Sequence, residues 1–195
     1  MGNHKLPSEL PLYDYAPDVR VMGNMYISVP QKRGKCDRYR TKDILNGPYE
    51  KIEGTFDFWD PNLFVDDDGK VYFYWGCSNE TPMWGVELDP QTMNQRERKK
   101  NMIYADPYKY GYERIGDDNG KLPRSKEEVD ACFDNFMKSQ GTPVEQIPQM
   151  YIPMIRGMFT DKPYIEGAWM DKHEGRYYLQ YAFAGTQYNT YGDGV

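Results

Sequence analysis

The sequence predicts an all-β chain of repeated hairpins, the pattern of a β-propeller, on three observations. One phrase recurs in altered form: DYAPDVRVMGNMYISVP from Asp14, DPNLFVDDDGKVYFYWG from Asp60, and YIEGAWMDKHEGRYYLQYAFAG from Tyr164. Each copy places a carboxylate (Asp18, Asp60, Glu166) before an inner strand and a glycine turn before an aromatic outer strand. Aromatic residues make up 15% of the chain, with 18 tyrosines and 4 tryptophans, a composition suited to pleated sheets and to sugar stacking alike. Repetition of a hairpin with polar residues at its mouth is what a propeller looks like in sequence. Three copies are fewer than the four or more blades a propeller needs to close.

Taken in order, residues 1–13 are polar and proline-bearing and read as a leading loop. Residues 19–30 give the first hairpin, turned at Gly23-Asn24 and stopped by Pro30. The basic, turn-rich QKRGKCDRYRTKD that follows reads as a solvated loop. Tyr49 to Phe56 is a weak strand leading into the second hairpin, whose reversal is Asp67-Asp68-Gly69. Thr81 to Leu88 reads as the third strand of that blade, ended by Asp89-Pro90. Asn101 to Ala105 is its fourth, an edge strand. The period then changes: Ser125 with Glu128 forms a capping box, and Val129, Cys132, Phe133, Phe136 and Met137 recur at helical spacing. The spacing predicts a helix from Ser125 to Lys138, stopped by Gly141 and Pro143, inside a helical insertion of about residues 122–142. Tyr177 to Phe183 alternates again, as the outer strand of the third hairpin.

A net charge of -6 with 39% hydrophobic residues makes a nucleic-acid backbone an unsuitable partner. No run approaches the roughly 18 apolar residues of a membrane span, and MGNHKLPSEL has no apolar signal core. Cys36, Cys77 and Cys132 are odd in number and widely spaced, and read as free thiols. Extracellular, periplasmic and cytoplasmic locations all stay open.

No metal or cofactor is expected. Asp66-Asp67-Asp68-Gly69 lacks the acidic residue two positions earlier, where Phe64 stands, that a calcium loop would need. His4 and His173 do not form a metal pair. The carboxylates carry more. Asp60 follows Phe58-Trp59, and Glu166 lies between Ile165 and Gly167-Ala168-Trp169. A carboxyl group held among apolar rings loses hydration, which raises its pKa and suits proton donation. Asp60 reads equally as a turn cap, and Glu166 as a surface residue near a turn. Two carboxyl groups flanking a bond are the equipment of glycoside hydrolysis.

The blocks YAPDV at 15–19, DPNLFVDDDGKVYFYWG at 60–76 and YIEGAWMDKHEGRYYLQYA at 164–182 resemble those of glycoside hydrolase family 43. This is a family of five-bladed propeller β-xylosidases and α-L-arabinofuranosidases. The resemblance implies a partial five-bladed propeller over 1–195. It implies an inverting hydrolysis of xylosides or arabinosides, and a partner that is a xylose- or arabinose-containing oligosaccharide or polysaccharide. Glu166 matches the general acid, and Asp60 matches the aspartate that tunes and orients it. Tyr15 stands where the family usually has tryptophan in the block near the sugar pocket, and Asp18 follows in the same block. Trp59, Trp84, Trp169 and Tyr188 are the stacking candidates, each also readable as blade packing. The family's general base is an aspartate well upstream of the Tyr15 block. Here only fourteen residues precede Tyr15, so the chain reads as a fragment without the first blade and the C-terminal blades, inactive by itself. A non-catalytic carbohydrate-binding propeller is the alternative. Kelch or WD repeat signatures are absent.

Overall fold

The computed structural model describes residues 16–30, 36–116 and 124–195. Strands dominate. β1 (Asp18–Met22), β2 (Asn24–Pro30), β3 (Cys36–Thr41) and β4 (Glu50–Ile52) form one antiparallel sheet in chain order. β5 (Asn62–Val65) and β6 (Val71–Trp75) are followed by a two-residue strand, β7 (Cys77–Ser78), then β8 (Met83–Leu88) and β9 (Lys100–Ile103). The second sheet runs β5-β6-β8-β9. Two helices follow, α1 (Lys126–Gln140) and α2 (Ile152–Gly157), and then β10 (Ile165–His173), β11 (Arg176–Phe183) and β12 (Gly192–Gly194). The third sheet has the order β12-β11-β10-β7.

The chain divides into two compact units. The first comprises the described residues of Met1–Gly76, with Trp84–Lys100 and Gly167–Leu179. The second comprises Cys77–Met83, the described residues of Asn101–Glu166, and Gln180–Val195.

All three expected hairpins form, β1–β2, β5–β6 and β10–β11. Met22 pairs with Asn24 around Gly23, whose φ of 73° is the left-handed backbone that glycine adopts without steric cost. Register explains the core. Leu63 lies opposite Phe73, Phe73 opposite Val86, and Val71 opposite Leu88, so one face of the sheet collects the apolar side chains. Together with Ile52, Phe58, Trp75 and Met93 they form a buried cluster. Each such side chain contributes about 1.5–3 kcal/mol by leaving water.

Two expectations in the first unit need correction. The basic segment after Pro30 is not a solvated loop throughout. Its second half is β3, where Asp37, Arg38, Tyr39 and Thr41 are buried. A strand needs a ladder partner and a covered face, and β3 has both: it pairs with β2 and β4, and the Arg38 guanidinium lies over Phe56 and Phe73. The weak strand expected at 49–56 is shorter, Glu50–Ile52 as β4, and it pairs with β3.

In the second unit α1 follows its sequence signals closely. The Ser125 hydroxyl accepts the Glu128 N–H, the Glu128 carboxylate accepts the Ser125 N–H, and Gly141 closes the helix at φ 64°. Val129, Phe133 and Met137 are its buried stripe. The short α2 has no periodic apolar stripe to announce it. Glu113, 2% exposed, is held at the centre of a polar knot in this unit. It accepts the Tyr181 hydroxyl at 2.8 Å and the Asp106 N–H at 2.6 Å, and Tyr112 meets Tyr181 at 3.0 Å.

Candidate active site

The second unit contains a cavity of about 820 Å³. Its walls come from five stretches: Asn79 after β7, residues 115–116, Arg124 before α1, the α2 region through Glu166, and the loop 184–188 after β11. Gly157, at the end of α2, is required by close approach. A Cβ there would meet Asn79 Oδ1 at 2.2 Å. Ala184 holds a left-handed φ of 74°, a conformation that costs an L-residue energy and tends to be kept where geometry matters.

Glu166 is the second residue of β10, half-buried, and on the cavity wall. Directly opposite it on β7 is Cys77. Cys77 Sγ stands 3.8 Å from Glu166 Oε2 and in hydrogen-bond contact with the Tyr164 hydroxyl. Tyr164 and Tyr188 face the same cavity, as do Met154 of α2 and Met158 just after it. Cations are present too: Arg124 lies 3.6 Å from the buried Asp161 and donates to the Phe159 carbonyl, and Lys162 is exposed beside it. A carboxyl group on the wall of a cavity with aromatic, apolar and amide surfaces can give a proton to a bound polar ligand. None of Cys77, Tyr164, Asp161, Arg124 or the two methionines was singled out by sequence reading as part of a site, because no spacing links them.

The other candidates lie in the first unit. Asp18, 6% exposed, is bound into the fold. Its Oδ2 accepts the Leu63 N–H at 2.6 Å and faces Asn62 Nδ2 at 3.4 Å, while Oδ1 accepts the Val19 N–H at 2.8 Å and pairs with Arg20 at 3.0 Å. Asn62 in turn accepts the Met170 N–H at 2.8 Å, so one polar chain links β1, β5 and β10 within this unit. Burial pushes the Asp18 carboxyl above its ordinary pKa, against the lowering pull of the Leu63 N–H and Arg20.

Asp60 precedes β5 with φ 49°, a left-handed backbone that aspartate tolerates better than most residues. Its Oδ2 accepts the N–H of Gly167 at 3.3 Å. Trp59 is half-buried beside it, and its carbonyl accepts the Gly76 N–H at 3.0 Å. Trp84 packs against the core cluster with Lys99 Nζ 3.7 Å over its ring. Trp169 is exposed, with the Arg20 guanidinium 4.3 Å over its face. Tyr15 lies outside the described residues. Asp66, at the turn of the second hairpin, is an ion-pair hub: Lys172 Nζ and the Tyr177 hydroxyl each reach it at 2.6 Å, and these bonds hold its carboxyl down at about 2.

No family model matches the chain. The chain is 28% identical over 182 residues to xylosidase/arabinosidase 43A of Humicola insolens, covering 89% of this chain and 52% of that protein. It is 27% identical over 164 residues to a β-xylosidase of Xylanibacter ruminicola, covering 78% of this chain and 42% of the relative. The chain therefore spans about half the length of these curated relatives. Among solved structures, an endo-1,4-β-xylanase from Bacteroides thetaiotaomicron superposes over 92% of this chain and 47% of its own, with TM-score 0.57 and 18% identity. A thermostable family 43 glycoside hydrolase does so over 91% and 48%, with TM-score 0.51 and 18% identity. These likenesses show a shared fold. In sequence and in fold the chain resembles glycoside hydrolase family 43.

Proposed function

We propose that the chain carries part of a glycoside hydrolase, with Glu166 as general acid, in a protein of the length of its curated relatives. The observation that carries this reading is the Glu166 carboxyl on the wall of a cavity of about 820 Å³. The relatives' names supply the substrate class, xylose- or arabinose-containing saccharides. The three four-stranded sheets are read as blades of a five-bladed propeller. In a single inverting displacement the acid protonates the leaving oxygen while a second carboxylate activates water on the opposite face of the sugar, about 6.5–9.5 Å away. None of the blocks matched here supplies that second group, so the 195-residue chain by itself is expected to hydrolyse aryl xylosides and arabinofuranosides only at background rate.

Asp60 is proposed to tune and orient the acid, a role taken from the resemblance. Its bond to the N–H of Gly167, the residue after Glu166, supports it. Tyr188 is the stacking platform favoured by its place on the cavity wall. Tyr15, Trp59 and Trp169 are carried as sugar contacts on the resemblance, whereas Trp84 and Asp18 are assigned to packing.

The test compares leaving groups in a protein of the relatives' length. Glu166→Gln should lower kcat/KM by about 10²–10⁴ on a substrate with a poor leaving group, the usual worth of a positioned general acid. On an activated aryl glycoside, which departs without full proton transfer, the loss should be much smaller. Equal losses on both substrates would show that Glu166 is not the acid. A protein that binds xylo-oligosaccharide with no turnover at all would favour a non-catalytic propeller.

A further inference from the structure

Sheet register forces a thiol onto the proposed acid. In an antiparallel pair, residues directly opposite one another present their side chains on the same face. Ile165 faces Ser78, and both are buried. The next pair, Glu166 and Cys77, must then turn to the other face, where the cavity lies. Tyr164, two residues before Glu166, shares that face by the same period and lines the same cavity. The result is a contact chain from the Tyr164 hydroxyl to Cys77 Sγ to Glu166 Oε2, all within the second unit.

We infer that Cys77, supported by Tyr164, is a positioning residue for Glu166: its S–H donates to the carboxylate and sets both the orientation and the proton affinity of the acid. This rests on the reading of Glu166 given above. The polarity of the chain follows from ordinary proton affinities. Near pH 7 a thiol and a phenol keep their protons while a carboxyl group can lose its own, so Tyr164 O–H donates to sulfur and S–H donates to oxygen. A donor to the charged form favours that form and lowers the pKa of the carboxyl group. Other charges surround the group. Asp161, Arg124 and Lys162 line the cavity, and the Asp60 carboxylate takes the N–H of Gly167.

Titration of the Glu166 side-chain carboxyl by carbon-13 NMR in the 195-residue chain tests the inference without any need for turnover. Cys77→Ala should raise the Glu166 pKa by about half a unit, the worth of a weak donor lost from a carboxylate. Cys77→Ser, which keeps a donor of similar reach, should lie nearer the unmodified chain. Tyr164→Phe keeps the ring and should give a smaller rise in the same direction, and it decides the case if Cys77→Ala does not fold. An unchanged pKa in Cys77→Ala, equal rises in the alanine and serine variants, or, where the alanine variant does not fold, no rise in Tyr164→Phe, would overturn the inference. A rise with no hydrolysis in the relatives-length protein would leave the thiol in place and remove the glycosidase reading.

Discussion

Asp18 and Glu166 occupy the same place in two copies of one hairpin phrase, and the fold uses them in opposite ways. Asp18 is buried, with both oxygens committed to backbone N–H groups, an arginine and an asparagine. Glu166 opens on a cavity, with the Cys77 thiol 3.8 Å from its Oε2. A carboxylate ringed by fixed donors is a strut: it satisfies N–H groups that would otherwise be orphaned, and it has no oxygen left for a ligand. A carboxylate facing a cavity with a weak donor beside it can exchange its proton with whatever enters. The phrase in the sequence is one; what differs is the burial and donor set that the register supplies.

Removing the strut gives the largest expected effect on stability. Asp18→Ala leaves the Leu63 and Val19 N–H groups without their carboxylate and should cost about 3 kcal/mol in urea unfolding, since each buried group left unsatisfied costs about 1–3 kcal/mol. Its pH dependence sharpens the contrast. The Asp18 carboxyl is raised in the fold, so the folded chain binds its proton more readily than the unfolded one. This group's contribution is therefore fully present below the ordinary aspartate pKa of 3.8 and falls as pH rises through the raised value. In Asp18→Asn that part of the slope should vanish. A variant whose stability against pH parallels the unmodified chain would break the description of Asp18 as a buried, desolvated strut.

How far the sequence foretells this depends on which physical signal each element uses. The hairpins were legible because alternation and a turn glycine are local: Val71, Phe73 and Trp75 alternate with Tyr72 and Tyr74, and Gly69 reverses the chain. The helix was legible because Ser125, Glu128 and Gly141 are caps with fixed offsets. β3 was not, since Asp37 and Arg38 read as solvated until the ladder buries them. The cavity was not either, because its walls meet from stretches more than a hundred residues apart, such as Asn79 and Tyr188. Glu166 was legible as a candidate from the repeated phrase and its apolar neighbours, and its role as acid came from the resemblance of its block. Its neighbour Cys77 could have been found only from the pairing of β7, a strand of two residues with no periodicity to detect.

A smaller effect is expected where a second buried carboxylate has a neutral partner. Glu113 is held by the Tyr181 hydroxyl and one N–H, and burial raises its pKa. Tyr181→Phe should cost about 1.5–3 kcal/mol at pH 7, the range for a hydrogen bond to a charged group. Because the folded pKa is raised, the proton is bound first in the fold as pH falls, and the cost should shrink toward pH 4. Equal costs at both pH values, measured by urea unfolding, would mean that Glu113 is not the charged member of this knot. It would then belong with neither Asp18 nor Glu166.

The smallest effect tests whether charge itself stabilises these interiors. Arg38 is 1% exposed; its Nη1 donates to the Met93 carbonyl, and the guanidinium lies 5.1 Å over Phe56 and 5.8 Å over Phe73. Its Nε and Nη2 have no hydrogen-bond partner among the described residues, and burial lowers its pKa to about 10. Asp18 is fully satisfied and Arg38 is not, so the two should answer opposite kinds of substitution. An apolar side chain of similar length removes the desolvated charge and keeps the packing. It gives up one bond to a carbonyl and the contact with two rings. For buried ions in general such exchanges are neutral or stabilising. Arg38→Met is therefore expected to stay within about 1 kcal/mol of the unmodified chain, whereas Arg38→Ala, which also opens a cavity against Phe73, should cost about 3 kcal/mol. Matching losses for methionine and alanine would show that the guanidinium, not its carbon stem, holds β3 to the core.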